Sequence, residues 1–276
     1  MKMTSPNKLQ PYKILEKRVG ETPLLCAEAW RANQPELKGV PLAYAGRLDP
    51  MASGKLLILI GEECKQQEKY HNLDKEYTFR VLFGVSSDSL DVLGLVRESG
   101  SRTIASDSLR EILHTLTGDI SLPYPIFSSR TVHGKPLHTW ALEGRLSEIE
   151  IPTKHSTVYS LTLNNLSELS RTDVVREARL QFESIPPVTD VRKAIGNDFR
   201  RTDVRATWNT IEMSGRPTDE FIIATITCIA SSGTYMRSLA EEIAKRLGTT
   251  GLAYSIHRQT IGHYDNVTSS WREKFE

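Results

Sequence analysis

The chain has few cysteines, almost no net charge and no long apolar run, and each shortage closes off a class of protein. Cys26, Cys64 and Cys228 are odd in number and far apart. They suggest neither a disulfide framework nor a zinc spacing, so a reducing cytoplasm is the simplest compartment. No apolar stretch is long enough to cross a bilayer. The N-terminal MKMTSPNKLQPYKILEK lacks the apolar core of a signal peptide. A net charge of +1 neither demands nor excludes nucleic acid, because polyanion binding needs a local basic surface rather than a basic total. Internal repeats, low-complexity tracts and nucleotide-cofactor motifs are also missing.

What is present is an ordinary globular composition, 39% hydrophobic and 25% charged. A length of 276 residues suits one large domain or two small ones. GKLLILIG, from Gly54 to Gly61, reads as a buried strand, and CKQQEKYHNLD after it as a polar helical turn. KEYTFRVLFG alternates as a strand, with Tyr77, Phe79 and Val81 on one face. SSDSLD is expected to be a polar loop facing RNA or solvent. Leu109, Ile112, Leu113 and Leu116 have helical spacing, with Ser106 offered as the N-cap. TVYSLTLNNLSEL and EFIIATITCIASS read as strands. Leu239, Ile243 and Leu247 mark an amphipathic helix that ends at Gly248. Residues from about Glu168 to Thr210 are rich in Arg and Asp and read as a helical insertion. Strands and helices do not alternate strictly, so the fold class is α+β.

The informative stretch is YAGRLDPMASGKLLILIGE, Tyr44 to Glu62. Asp before Pro is a common turn starter that caps backbone amides. The surroundings ask for more. Gly46 permits close backbone approach, and Pro50 holds Asp49 out of the helical region. A carboxylate is thereby presented at a strand entrance on a stiff turn, a setting suited to attack on a bound substrate.

YAGRLDPMASGKLLILIGEECK resembles the aspartate motif of TruB-type pseudouridine synthases, matching at Gly46, Leu48, Asp49, Pro50, Ala52, Gly54, Leu56, Gly61 and Lys65. KEYTFRVLFGVSSDSLDVLG is similar to the family's Lys-x-Tyr strand and acidic loop. LPYPIFSSRTVHGKPLHTWALEG and SSGTYMRSLAEEIAKRLGTTGLAYSIHRQTIGHY resemble two later blocks. The four blocks stand in order and cover most of the chain outside the insertion.

The resemblance implies a pseudouridine synthase fold, a mixed and mostly antiparallel sheet flanked by helices with the active cleft across it. It implies isomerisation of a uridine in the T arm of tRNA, position 55, with no cofactor and no metal. Asp49 is then the catalytic carboxylate, Arg237 its pairing guanidinium and Tyr77 the residue that stacks on the flipped base. Tyr44, Gly46, Arg47, Tyr235 and Ile256 are expected at the substrate. Lys75 reads as structural or phosphate-facing. His133 and His138 lack a third ligand at a fitting spacing and read as solvated. Whether Asp49 attacks C1′ or C6, or acts through a glycal route, stays open.

Three departures from the family pattern stand out. Tyr44 replaces a histidine. The N-terminal Lys-Pro-x-Gly segment is degraded to EKRVGETP, keeping Gly20 but not the pair. No C-terminal PUA domain is expected, and the whole chain reads as one catalytic domain. The insertion carries Arg171, Arg176, Arg179, Arg192, Lys193, Arg200, Arg201 and Arg205. These cations suggest substitute phosphate contacts, against the plain alternative of a charged helical pair. The expected partner is tRNA, with no membrane and no obligate protein, and the expected state is a monomer. The rival readings are a synthase for another tRNA or rRNA uridine, and an RNA-folding chaperone with incidental activity.

Overall fold

The computed structural model describes residues 9–100, 103–187 and 197–276. Strand β1 (Tyr12–Lys17) leads to helix α1 (Pro23–Arg31), which Thr22 caps through its side chain on the Leu25 N–H. Strands β2 (Leu42–Ala45) and β3 (Ala52–Ile60) flank the aspartate stretch, and a 3₁₀ segment (Gly61–Tyr70) follows. Next come β4 (Asp74–Phe83), the short pair β5 (Val85–Ser87) and β6 (Val96–Glu98), and helix α2 (Ser106–Thr115). The position before α2 is taken by Ala105 with no side-chain cap, so Ser106 is the first helical residue and not the cap. Strand β7 (Gly118–Pro123), the small hairpin β8 (Thr131–Val132) and β9 (Lys135–Pro136), and helix α3 (Leu137–Leu142) precede the long β10 (Thr153–Ser170). Helices α4 (Arg171–Glu183) and α5 (Asn197–Met213) are followed by β11 (Glu220–Ala230), α6 (Met236–Arg246), β12 (Gly251–Asp265) and β13 (Ser270–Lys274).

The main sheet runs β1-β3-β12-β4-β11-β10-β7, with β2 on β3 and β13 on β12. β3 and β12 are parallel, and every other pairing in the sheet is antiparallel. The α+β class with a mixed, mostly antiparallel sheet therefore holds. α6 lies on the sheet through the apolar side that its spacing announced, with Leu239 and Ile243 fully buried beside Phe79, Val81 and Ile226.

Two helices do lie between strands β10 and β11, but the expected bounds of the helical segment move. Glu168 pairs with Ile222 in the β10–β11 ladder, so the strand continues to Ser170. The polar face of this strand hides its alternation. The helical part occupies α4 and α5, ending at Met213. Trp208 of α5 is fully buried in the main core, so the insertion is packed in rather than appended.

The parallel contact of β3 with β12 explains the second glycine of the aspartate motif. Gly54 has φ 105°, and a Cβ there would sit 2.2 Å from the carbonyl oxygen of Arg258. Only glycine lets the two strands approach.

Candidate active site

Asp49 starts a β-turn. Its carbonyl accepts from the Ala52 N–H at 3.0 Å, with Pro50 at the second position. Buried cations fix this turn from beneath. Lys17, fully buried, donates from Nζ to the carbonyls of Arg18 (2.8 Å), Ala52 (2.5 Å) and Pro50 (3.5 Å). Arg258, also buried, donates from Nε to the Lys55 carbonyl at 2.7 Å and from Nη2 to the Gly46 carbonyl at 3.1 Å. Gly46 has φ 78° and turns the chain over the Arg258 and Lys75 side chains. Burial lowers the Lys17 and Lys75 ammonium groups to about 8. Lys75 donates to the carbonyl of Leu73 and to Ser232 Oγ (3.3 Å), which places it under the site as a structural cation.

On this platform Asp49 Oδ2 lies 2.8 Å from Nε of Arg237. The Asp49 side chain is 38% exposed and that of Arg237 only 4%. One partner thus faces outward while the other is sunk in the protein. Arg237 comes from the first turn of α6, after the Gly-Thr-Tyr turn. Its Nη1 donates to the carbonyls of Ser89 (2.9 Å) and Phe127 (3.3 Å), and its Nη2 to Phe127 (3.3 Å). Nε has no aligned hydrogen-bond acceptor, so its contact with Asp49 is chiefly Coulombic.

A second carboxylate shares this cation. Asp91 Oδ2 lies 3.6 Å from Arg237 Nε, and Asp91 is buried. Oδ1 of Asp91 accepts from Ser89 Oγ (2.5 Å) and from the Leu93 N–H (2.9 Å). Burial pushes the Asp91 carboxyl up, and Arg237 and Ser89 pull it back. The SSDSLD loop is therefore not a solvent-facing loop: Ser87, Ser89 and Asp91 are all buried. Two of its groups, the Ser89 carbonyl and the Asp91 carboxylate, face Arg237, and the buried hydroxyls of Ser87 and Ser89 bond within the loop.

An aromatic pair stands beside the ion pair. Tyr124 and Tyr235 meet edge to face at 5.3 Å, and Arg130 covers Tyr124 at 5.1 Å. Burial raises the Tyr235 hydroxyl, with Tyr124 and Asp49 adding to the shift. Tyr77 is half-buried at the margin of the main core, in register with Cys228 and Arg258. Arg47 is exposed and reaches Ser129 Oγ at 3.3 Å, tying the aspartate loop to the 124–130 loop. Ile256 is buried and in register with Ala52, behind the turn. Tyr44 is half-buried in a separate cluster, against Cys26, Ala27, Leu56 and Ile58 under α1. The structure thus gathers Asp49, Arg237, Tyr235, Gly46 and Arg47, and turns Tyr44 to packing. Asp91, Ser89, Tyr124, Lys17 and Arg258 are the residues that sequence reading missed. A cavity of about 660 Å³ opens beside this site between Asp74, Asp119, Lys154, His155, Tyr159 and Ser232, the last of which accepts from Lys75. A small recess lined by Lys154, Ser156 and Tyr235 lies between the two.

This mixed sheet, with an ion-paired carboxylate at the mouth of a strand, has the pseudouridine synthase fold. A crystal structure of a Cbf5-Nop10-Gar1 complex superposes with a TM-score of 0.51 at 13% identity, over 90% of this chain and 48% of that one. The model of the TruB family pseudouridylate synthase N-terminal domain matches residues 37–181, which hold Asp49, Tyr77 and Asp91. The chain belongs to the TruB family. It is 28% identical over 224 residues to the tRNA pseudouridine synthase B of Caldicellulosiruptor saccharolyticus, covering 81% of this chain and 59% of that protein. It is 28% identical over 236 residues to that of Caldanaerobacter subterraneus, covering 85% and 64%. The chain therefore spans about three-fifths of the length of these relatives.

Proposed function

We propose that this chain converts a uridine of the tRNA T arm, position 55, to pseudouridine, with Asp49 as the catalytic carboxylate. The observation that carries the reading is the 2.8 Å pair between outward-facing Asp49 and buried Arg237. Pseudouridine formation breaks the N1–C1′ bond, turns the uracil and rejoins it through C5. It needs an ionised carboxylate at the sugar and base after RNA has displaced water. A fixed guanidinium 2.8 Å away offsets the negative charge of that carboxylate in the dry setting. The chemistry is internal to the nucleotide, so no donor group or redox partner enters the balance.

The target uridine must leave its stack to reach Asp49. Tyr77 is assigned to stack on it, a contact worth roughly 1–3 kcal/mol per base. Tyr235 and Ile256 form the inner wall, Gly46 leaves room for the backbone, and exposed Arg47 meets phosphate. Tyr44 supports the loop from its packed side. This chain acts as a monomer on tRNA in the cytoplasm.

Pseudouridine mapping in total tRNA, from cells with and without the gene, tests the reading. Loss of the T-arm modification on deletion is the expected result. An intact T arm, or loss at an rRNA uridine instead, overturns the assignment of substrate.

A further inference from the structure

Among the described residues, the cations of the insertion do not form a free basic face. Arg171 pairs with Glu98, Arg176 with Asp173, Arg179 with Glu212, Arg200 with Asp88, Arg201 with Asp198 and Arg205 with Glu183. Arg192 and Lys193 lie outside the described residues. Among these pairs Arg200 differs in what lies behind it. Helix α5 holds the 87–96 segment at three points. The fully buried Trp208 donates its indole N–H to the Val92 carbonyl at 3.0 Å. Thr207 Oγ1 accepts from the Val96 N–H at 3.2 Å. Arg200 takes the Asp88 carboxylate with both terminal nitrogens, at 2.6 and 3.2 Å. This same segment supplies the Ser89 carbonyl and the Asp91 carboxylate that face Arg237.

A face of the Arg200 guanidinium stacks on the Phe127 ring, with Cζ 4.1 Å from its centroid. The Phe127 carbonyl accepts both terminal nitrogens of Arg237. Arg200 thus touches both loops that cradle the arginine of the site, one through a carboxylate and one through a ring. A planar guanidinium can do both at once, and a lysine ammonium cannot. The Arg200 backbone has φ 59°, a conformation that side chains of this size avoid and that persists where the surroundings over-determine it.

We propose that Arg200 is a positioning residue for the isomerase site. Through Asp88 and Phe127 it holds the carbonyl cradle of Arg237, and thereby the direction of the Asp49 carboxylate. The inference rests on the reading of Asp49 as the catalytic group. It gives the α4–α5 insertion a role in the reaction that differs from contacting RNA phosphates.

Single-turnover pseudouridine formation by the full chain on a tRNA transcript, together with the Kd for that tRNA, tests the proposal. Arg200→Met is expected to slow the rate constant about 10- to 100-fold, the scale expected when a reacting group loses its alignment. Kd stays within about twofold. Arg200→Lys recovers part of the loss. Phe127→Leu also slows the reaction, and the double variant is no slower than the worse single one, because both act through one cradle. Arg205→Met, on the exposed pair with Glu183, keeps the wild-type rate. A purely structural role lowers the amplitude and Tm of Arg200→Met but leaves its rate constant unchanged, and overturns the proposal. A loss confined to Kd makes Arg200 an RNA contact and overturns it as well. A wild-type chain that forms no pseudouridine removes the reading of Asp49 and the inference with it. An active wild type matched in rate by Arg200→Met removes the inference alone.

Discussion

Nε of Arg237 sits 2.8 Å from Asp49 and 3.6 Å from Asp91, so one buried cation is shared by two carboxylates of different exposure. Asp49 is open on its outer side. Asp91 is enclosed and takes a hydroxyl and a backbone N–H as well. The inner carboxylate shares the guanidinium with the outer one, which stays paired to it and keeps its exposed side toward a ligand.

Arg237→Met leaves Asp91 buried without its cation, which destabilises the fold by about 3–5 kcal/mol. Asp91 is already pushed up by burial, with Arg237 and Ser89 opposing and Asp49 adding to the rise. Without Arg237 it rises further. An acid whose folded pKa is raised binds more protons folded than unfolded, so its penalty is relieved as pH falls. The stability gap between Arg237→Met and wild type therefore narrows from pH 8 to pH 5. Adding Asp91→Asn recovers much of the loss at pH 8. Denaturant unfolding of the three proteins measures this, and a gap independent of pH contradicts it.

Gly54→Ala puts a methyl 2.2 Å from the Arg258 carbonyl oxygen at φ 105°. The strain and overpacking together destabilise by at least about 2 kcal/mol. Thermal melting should show Tm lower by roughly 5 °C or more. An unchanged Tm means that β3 and β12 are not so close.

Lys17 gives a pH signature of opposite sign. Burial lowers it from 10.5 to about 8, while Glu21, Cys26 and Asp49 support its charge and Arg258 opposes it. Between these values the unfolded chain holds more protons, so this contribution to stability rises with pH. Lys17→Met removes that rise. Unfolding free energies at pH 7.5 and 9.5 should differ less favourably in the variant. An identical pH dependence in both proteins contradicts a charged, buried Lys17.

The ion pairing of the insertion is expected to keep its cations off RNA phosphates. Arg179 and Arg205 face Glu212 and Glu183. Replacing both by Met is expected to leave the slope of log affinity against log salt within about one unit of wild type. A drop of two units makes them phosphate contacts.

Much of the site was legible in the sequence, but unevenly. The pairing of Asp49 with Arg237 was readable only through the resemblance of SSGTYMR to the family's arginine helix, whereas Asp49 itself was readable from its turn, where Gly46 and Pro50 serve backbone geometry. The strands of alternating apolar residues, β4 and β11, were readable for the same local reason. Asp91 was not. A Ser- and Asp-rich loop looks solvent-facing, and only the arriving arginine makes its burial affordable. Lys17 and Arg258 work by donating to carbonyls, which carry no sequence signal. The role of Arg200 depends on a long-range meeting of α5 with two loops. Tyr44, expected at the substrate, packs under α1 because β2 lies on β3 in a register that aims it at Leu56 and Ile58.

The most direct measurement is pseudouridine yield on a T-arm tRNA transcript with purified wild-type chain and Asp49→Asn, alongside tRNA binding by both. Asn keeps the shape of the side chain and removes the charge that Arg237 holds. Full conversion by wild type and no product from Asp49→Asn, with tRNA bound by both, is the expected result. Product formed by Asp49→Asn at the wild-type rate would contradict it.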